Sequence, residues 1–200
     1  MIKVIDNLLT PRYADQLLYD AQHVIQYCYK KQTSEQIDYG GEIFKDERTY
    51  DGGQFSCPIV VCPHENVQFA WYFNLLKAAI YSIEDAVPEL EIEGVNRIKF
   101  NLLLKNSEFP EDHYNLAHQD ATRECYSLVY YLNDSDGDTY LFNEFYEDGK
   151  IPDKLTVAQR VTPKKNRAVI FDSTRYHASA NPRNSSERFV INYVFKARLK

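Results

Sequence analysis

Basic residues are short in this chain: 23 lysines and arginines stand against 29 aspartates and glutamates, a formal net charge of −6. That balance speaks against a general nucleic-acid binder, whose footprint is a basic face, although it is compatible with a local basic groove. Cysteine is scarce too. Cys28, Cys57, Cys62 and Cys125 are too few and too scattered for a disulfide framework, and a reducing, cytoplasmic setting is the expectation. No apolar run approaches membrane-spanning length, so no membrane partner is expected. The first residues, Met1-Ile2-Lys3-Val4-Ile5-Asp6, meet an acid before a signal-like apolar core can form. There is no internal repeat and no low-complexity linker.

What is present is an ordinary globular composition, 44% apolar and 26% charged. A length of 200 residues suits one domain, 1–200, with a sizeable core. Residues 1–94 read as helical support and loops, and 95–200 as a strand-rich core. Thr10-Pro11 is a helix start, with Thr10 as N-cap and Pro11 at the first helical position. Leu17, Leu18, Ala21, Ile25 and Cys28 then recur at three- and four-residue steps, giving an apolar face to about Tyr29. A second helix spans Glu65 to Ala86, with Phe69, Phe73, Leu76, Ile80 and Ile83 as its stripe and Val87-Pro88 as its end. Residues 31–54 are polar and dotted with glycine, an irregular stretch long enough to suggest a task such as covering a site. Cys57, Cys62 and His64 lack the second ligand pair of a zinc site, and Pro58 and Pro63 read as turns.

From Val95 the period changes to two. Ile98, Phe100, Leu102 and Leu104 form a strand; Glu124 to Asn133 follows, apolar on both faces and so central. Asn133-Asp134-Ser135-Asp136-Gly137-Asp138 imitates a calcium loop, but its glycine is misplaced and no helical pattern flanks it; a hairpin turn is the better reading. Further strands fall at Thr139–Asn143, Val157–Val161, Ala168–Asp172, Thr174–Ala178 and Arg188–Phe195. The last has Phe189, Ile191, Tyr193 and Phe195 on one face and Arg188, Val190, Asn192 and Val194 on the other. Two helices before many short strands give an α+β fold with a jelly-roll core, the helices bracing one sheet.

The chemistry gathers at His118-Gln119-Asp120. Residues two apart on an extended segment point the same way, so His118 and Asp120 can grip one ion. His177, carried back alongside by a later strand, completes two imidazoles and a carboxylate on one octahedral face, the facial triad of non-haem Fe(II) sites. A loop further on, Arg188 opens the last strand; a buried arginine there needs an anionic partner.

On these residues the chain resembles the 2-oxoglutarate- and Fe(II)-dependent oxygenases, in particular the prolyl 4-hydroxylase-like branch. His118-Gln119-Asp120, Tyr130-Tyr131-Leu132-Asn133, the Gly137-Asp138-Thr139 turn, His177 and Arg188 follow in the family's order over about half the chain, from Phe100 to Phe195. Asp138 stands where the family usually has a second glycine, and Leu104-Lys105-Asn106-Ser107 where some members carry Tyr or Gly.

The resemblance implies a double-stranded β-helix. It implies Fe(II) on His118, Asp120 and His177, with 2-oxoglutarate and O2 as cosubstrates and ascorbate as support. It sets Arg188 against the far carboxylate of 2-oxoglutarate, with Tyr131 as a second donor and Asn192 assisting. The activity implied is hydroxylation of a protein or peptide side chain as 2-oxoglutarate is decarboxylated to succinate. The rival readings are a nucleic-acid dealkylase, a small-molecule hydroxylase, and a non-catalytic module that has kept the metal pocket. Tyr114, Asn115, Arg123, Arg175 and Tyr176 flank the ligands and are the candidates for substrate contact, against the plainer reading of solvent-exposed loop residues.

Overall fold

The structure, a computed structural model, describes residues 1–34, 44–61, 70–122, 125–147 and 150–200. Among these the order is β1 (Ile2–Asp6), α1 (Pro11–His23), β2 (Cys28–Lys30), β3 (Gln54–Val61), α2 (Ala70–Ala86), β4 (Leu90–Leu104), β5 (Tyr126–Tyr131), β6 (Thr139–Phe145), β7 (Val157–Val161), β8 (Arg167–Asp172), β9 (Arg175–Ser179) and β10 (Glu187–Leu199). Seven strands make a major sheet in the order β1-β8-β5-β10-β4-β3-β2, and three make a minor sheet, β7-β6-β9. The pairings within both sheets are antiparallel. With two helices on one face of the large sheet, this is the expected jelly-roll arrangement.

Period two assigns the two faces of the major sheet. Phe100 and Ile98 on β4, Leu128 and Tyr130 on β5, and Phe189, Ile191 and Tyr193 on β10 are buried in one cluster with Leu17 and Ala21 of α1 and Tyr72, Leu76 and Ile83 of α2. The helices therefore seal this face. The opposite face sends Val129, Tyr131, Val169 and Val190 against Leu141 and Val161 of the minor sheet. The functional cleft opens between the two sheets on that side.

Local chemistry adjusts several expected boundaries. α1 ends at His23, and Cys28 to Lys30 form a strand, because they pair with Ser56, Phe55 and Gln54 of β3 and Tyr29 packs its ring on Phe55 at 5.4 Å. Thr10 has an extended N-cap backbone but makes no side-chain cap bond; Pro11 does open the helix. On α2 the buried stripe runs through Tyr72, Leu76, Ala79 and Ile83, with Phe73 at its flank. The cause is polar: the Tyr72 hydroxyl donates to Asp20 Oδ2 at 2.8 Å, tying α2 to a buried carboxylate on α1. Residues 65–69 of the expected helix lie outside the described residues.

Pro58 is not a turn. It sits inside β3 beside a register shift, where a strand tolerates a residue without an N–H. Cys57 is a buried free thiol on that strand, and burial pushes its pKa up to about 11; Cys62 and His64 lie outside the described residues. The Asn133–Asp138 stretch is not a hairpin either, since β5 and β6 belong to different sheets. Its acids have structural duties instead. Asp136 accepts from the backbone N–H groups of Arg183, Asn184 and Ser185, and Asp138 from Arg160 Nε at 3.0 Å.

Candidate metal and cosubstrate site

His118 and His177 are brought together by backbone pairing. The His118 N–H donates to the His177 carbonyl at 3.0 Å, and the His177 N–H returns the bond at 2.9 Å. The segment holding His118 thus lies along β9 as a further strand-like edge. Asp120, one alternation on, fixes its own N–H on the Ser173 carbonyl at 2.9 Å. The two imidazole rings lie 4.5 Å apart, and one ligand atom from each of His118, Asp120 and His177 falls within 4.8 Å of the others, close enough to converge on one ion.

The donor set fits a divalent cation. His118 Nδ1 lies 3.0 Å from the Leu116 carbonyl and His177 Nδ1 lies 3.1 Å from the Arg175 carbonyl. A carbonyl can only accept, so each Nδ1 carries the proton and each Nε2 keeps its lone pair for a metal. Burial pushes the His118 pKa down to about 3 and also lowers that of His177, so both rings are neutral near pH 7. Burial by itself raises the pKa of Asp120, but Arg97, the two imidazoles and the Ser127 hydroxyl hold the carboxyl well below the usual range.

Asp120 is held from both sides. Ser127 donates to Oδ2 at 2.6 Å and Asn192 to the same oxygen at 3.3 Å, while Arg97 donates to Oδ1. Oδ2 thereby has both lone pairs engaged, and Oδ1 keeps one open towards a cation. Ser127 in turn shares a 2.8 Å contact with Ser173 Oγ. Groups that orient a metal ligand in this way typically cost ~10- to 100-fold in metal affinity when removed. Ser127→Ala should weaken Mn(II) binding by about that factor with the fold intact, as read by an EPR titration.

The depressed pKa values also fix an acid response of the metal-free protein. An unfolded chain protonates His118 near its ordinary value of 6.5, whereas the folded chain does so only near 3. Below pH 6.5 the unfolded state therefore binds more protons, and stability falls as pH drops between those values. The lowered Asp120 acts in the same direction, below 3.8. Urea midpoints measured at pH 7 and pH 5 should decline accordingly, and less so in His118→Gln.

Arg188 stands on the same cleft and is 3% exposed. Its Nε donates to the Gly137 carbonyl at 2.7 Å and its Nη2 to Thr139 Oγ1 at 2.8 Å, the hydroxyl that also receives the Tyr131 OH at 2.7 Å. Among the described residues no carboxylate forms an ion pair with it. Burial lowers its pKa from the ordinary guanidinium value while Tyr131 and Asp138 raise it. Gly137 is required where it stands, since a Cβ there would lie 2.5 Å from the Ala180 carbonyl oxygen and 3.1 Å from Arg188 Cδ.

The cleft, with about 50 Å³ of space open to water, joins His118, Asp120, His177, Arg188 and Asn192. Asn192 faces its metal end, bonded to Asp120 and to Arg97. The residues that flank the ligands in sequence go elsewhere. Tyr114 is fully buried in a separate core, its hydroxyl donating to Asp46 at 2.6 Å. Asn115 is buried against Ser179 and Asn181, and Tyr176 is buried with Tyr114. Arg175 donates to the Phe142 carbonyl and covers the Phe145 ring. None of these four lines the cleft among the described residues, and the exposed-loop reading does not describe them either. Arg123 lies outside the described residues. The cleft adds Arg97, Lys99, Asn101, Gln54 and Thr33. The alternation of β4 is the signal for the first three: they alternate with Ile98, Phe100 and Leu102 and so share the face turned towards the minor sheet.

The family model described as the 2OG-Fe(II) oxygenase superfamily matches residues 98–196, a span that includes the triad and Arg188. No curated protein matches the chain by sequence. Solved structures do match its fold. A prolyl-4-hydroxylase from Pseudomonas putida aligns at a TM-score of 0.53 with 15% identity, over 98% of this chain and 91% of that one. A prolyl hydroxylase from Trichoplax adhaerens, in complex with a hypoxia inducible factor oxygen degradation domain peptide fragment, aligns at 0.54 with 14% identity over 97% and 82%. HygX from Streptomyces hygroscopicus, with nickel and 2-oxoglutarate bound, aligns at 0.54 with 8% identity over 97% and 82%. Identities this low speak for the fold alone.

Proposed function

We propose that this chain, which belongs to the 2OG-Fe(II) oxygenase superfamily, hydroxylates a side chain of a protein or peptide in the manner of a prolyl hydroxylase. It is a 2-oxoglutarate-dependent Fe(II) dioxygenase. The observation that carries the reading is the pairing, in one cleft, of the His118–Asp120–His177 cluster with a buried arginine that has no carboxylate partner among the described residues.

His118, Asp120 and His177 hold the iron. When bound, iron supplies the oxidative chemistry that spends O2 and 2-oxoglutarate, yielding succinate, CO2 and a hydroxylated C–H carbon. The protein positions and insulates. Arg188 takes the far carboxylate of 2-oxoglutarate through parallel N–H···O bonds, and Thr139 and Tyr131 supply hydroxyls beside it. Asn192 and Arg97 fix Asp120 in its ligating posture. Val129 and Val190 add apolar wall to the otherwise polar cleft.

A polymeric substrate is supported by a second hollow that shares Gln54 with the cleft and runs past Gly52, Gly53, Tyr29 and Leu104, a path suited to an extended chain. We take residues 1–200 as one oxygenase domain, since β1, β2 and β3 join the sheet that carries Arg188. No helix among the described residues is long and apolar enough to cross a membrane. We place the enzyme in the cytoplasm on its cysteine usage, with Cys28, Cys57 and Cys125 all free.

The test is succinate release by the purified protein with Fe(II), 2-oxoglutarate and ascorbate. It should be metal-dependent and rise when peptide substrate is added. Absence of succinate with every peptide mixture would favour a binding module.

A further inference from the structure

β4 turns Asn101 towards the gap between the sheets, where it lines the cleft with Val129 and Val190. It stands directly opposite Val190 of β10 and Ser56 of β3. Val190 lies midway between Arg188 and Asn192. Asn101 therefore flanks the line from the cosubstrate anchor to the metal end, one strand away. The residue is half-buried, but its Oδ1 is closed to solvent and meets no donor among the described residues. Donors on the same cleft are committed elsewhere. Gln54 Nε2 donates to the Thr33 carbonyl at 2.5 Å, Asn192 Nδ2 to Asp120 at 3.3 Å, and Arg188 and Tyr131 to Thr139. Leaving a buried carbonyl oxygen without a donor is costly, and folded chains rarely do so without a use for it.

The chemistry of the cleft narrows what can supply the donor. The cosubstrate cannot, because ionised 2-oxoglutarate offers two carboxylates and a keto oxygen, all of them acceptors. The imidazole N–H groups of His118 and His177 already face the Leu116 and Arg175 carbonyls. Arg97 and Arg188 line the same cleft, so a neutral N–H is favoured there over an ammonium. A peptide carries such a donor at every residue except proline. A prolyl target therefore presents the N–H of a neighbouring residue.

We infer that Asn101 is a substrate-binding residue whose Oδ1 accepts a backbone N–H of the peptide close to the hydroxylated residue. This rests on the peptide-hydroxylase reading and deepens it, since the site then recognises main chain as well as side chain. A substrate lacking that N–H leaves the acceptor buried and unmatched, and binds more weakly. The protein without substrate bears the opposite mark. Replacing Asn101 with leucine removes the unmatched oxygen and extends the apolar wall of Val190, so the fold loses nothing.

The test uses the full chain loaded with Mn(II) and N-oxalylglycine, which fill the site without turnover. Three proline-centred heptapeptide pools with randomised flanks are passed over it, and retained peptides are counted by mass spectrometry. One pool is all-amide. In the other two an ester replaces the amide N–H of the residue before or after the proline, which removes the donor and keeps the shape. The wild type should retain the all-amide pool about tenfold over one ester pool, equivalent to ~1.4 kcal/mol. Asn101→Leu should hold amide and ester alike, and Asn101→Asp, which keeps the acceptor, should keep the preference. Free of metal and peptide, Asn101→Leu should melt no lower than the wild type. A lower melting temperature would assign Asn101 to the fold. A greater loss of N-oxalylglycine affinity than of peptide retention would assign it, with its amide rotated, to the cosubstrate. Either result overturns the inference. So does equal retention of the three pools by the wild type, no retention of any pool, or a preference that survives in Asn101→Leu. Succinate release by the wild type with the all-amide pool is scored separately. Release that the pool stimulates, together with equal retention, overturns this inference and leaves the peptide-hydroxylase reading standing.

Discussion

A His177→Ala variant should lose Mn(II) binding and succinate formation together, each by on the order of 10³-fold, which corresponds to ~4 kcal/mol for one of three ligand bonds. The two losses must be equal in kind, because the imidazole acts through the ion alone. Its Nε2 lies 3.5 Å from Asp120 Oδ2, and its Nδ1 is engaged by the Arg175 carbonyl. The backbone pairing with His118 does not use the side chain, so circular dichroism should show the sheet intact. Retention of metal with loss of turnover would remove His177 from the ligand set. Asp120→Ala should reproduce the loss and add instability, since it strips Arg97 of its buried counter-charge.

An Arg188→Met variant should separate cosubstrate from metal. Charge-assisted bonds to a buried carboxylate are worth roughly 1.5–3 kcal/mol. The KM for 2-oxoglutarate should therefore rise about 10- to 150-fold. Mn(II) affinity should change little, because the guanidinium contacts Gly137 and Thr139 and none of the ligands. Steady-state kinetics over a 2-oxoglutarate series, alongside the EPR titration, reads both numbers. Loss of the metal in this variant would count against the anchor.

Much of this site could be read from the order of residues, and the reasons are geometric. His118 and Asp120 share a face because a strand alternates, and Arg188 and Asn192 share one for the same cause. The same rule was available for Tyr176. As the immediate neighbour of His177 on β9 it must point away from the cleft, and it is buried on the far side of the minor sheet. Proximity in sequence suggested substrate contact; the pleat forbids it. Lys99 and Arg97 escaped notice because alternation distinguishes two faces without saying which is wet. On β4 both faces are covered, the apolar one by the helices and the polar one by the second sheet. The link between β5 and β6 was misread because Asp and Gly favour tight turns in hairpins and in crossovers alike, and only the partner strand decides between them. Asp20 on α1 gave no signal at all, since its partner Tyr72 comes from a distant helix.

The reciprocal backbone bonds between His118 and His177 make the spacing of the two rings a property of strand pairing. Because the polypeptide itself sets the distance between the two rings, binding free energy need not be diverted into ordering the chain. Affinity for the ion is then tuned by the ligand side chains and the groups that hold them, Ser127, Asn192 and Arg97 among them, rather than by strand register.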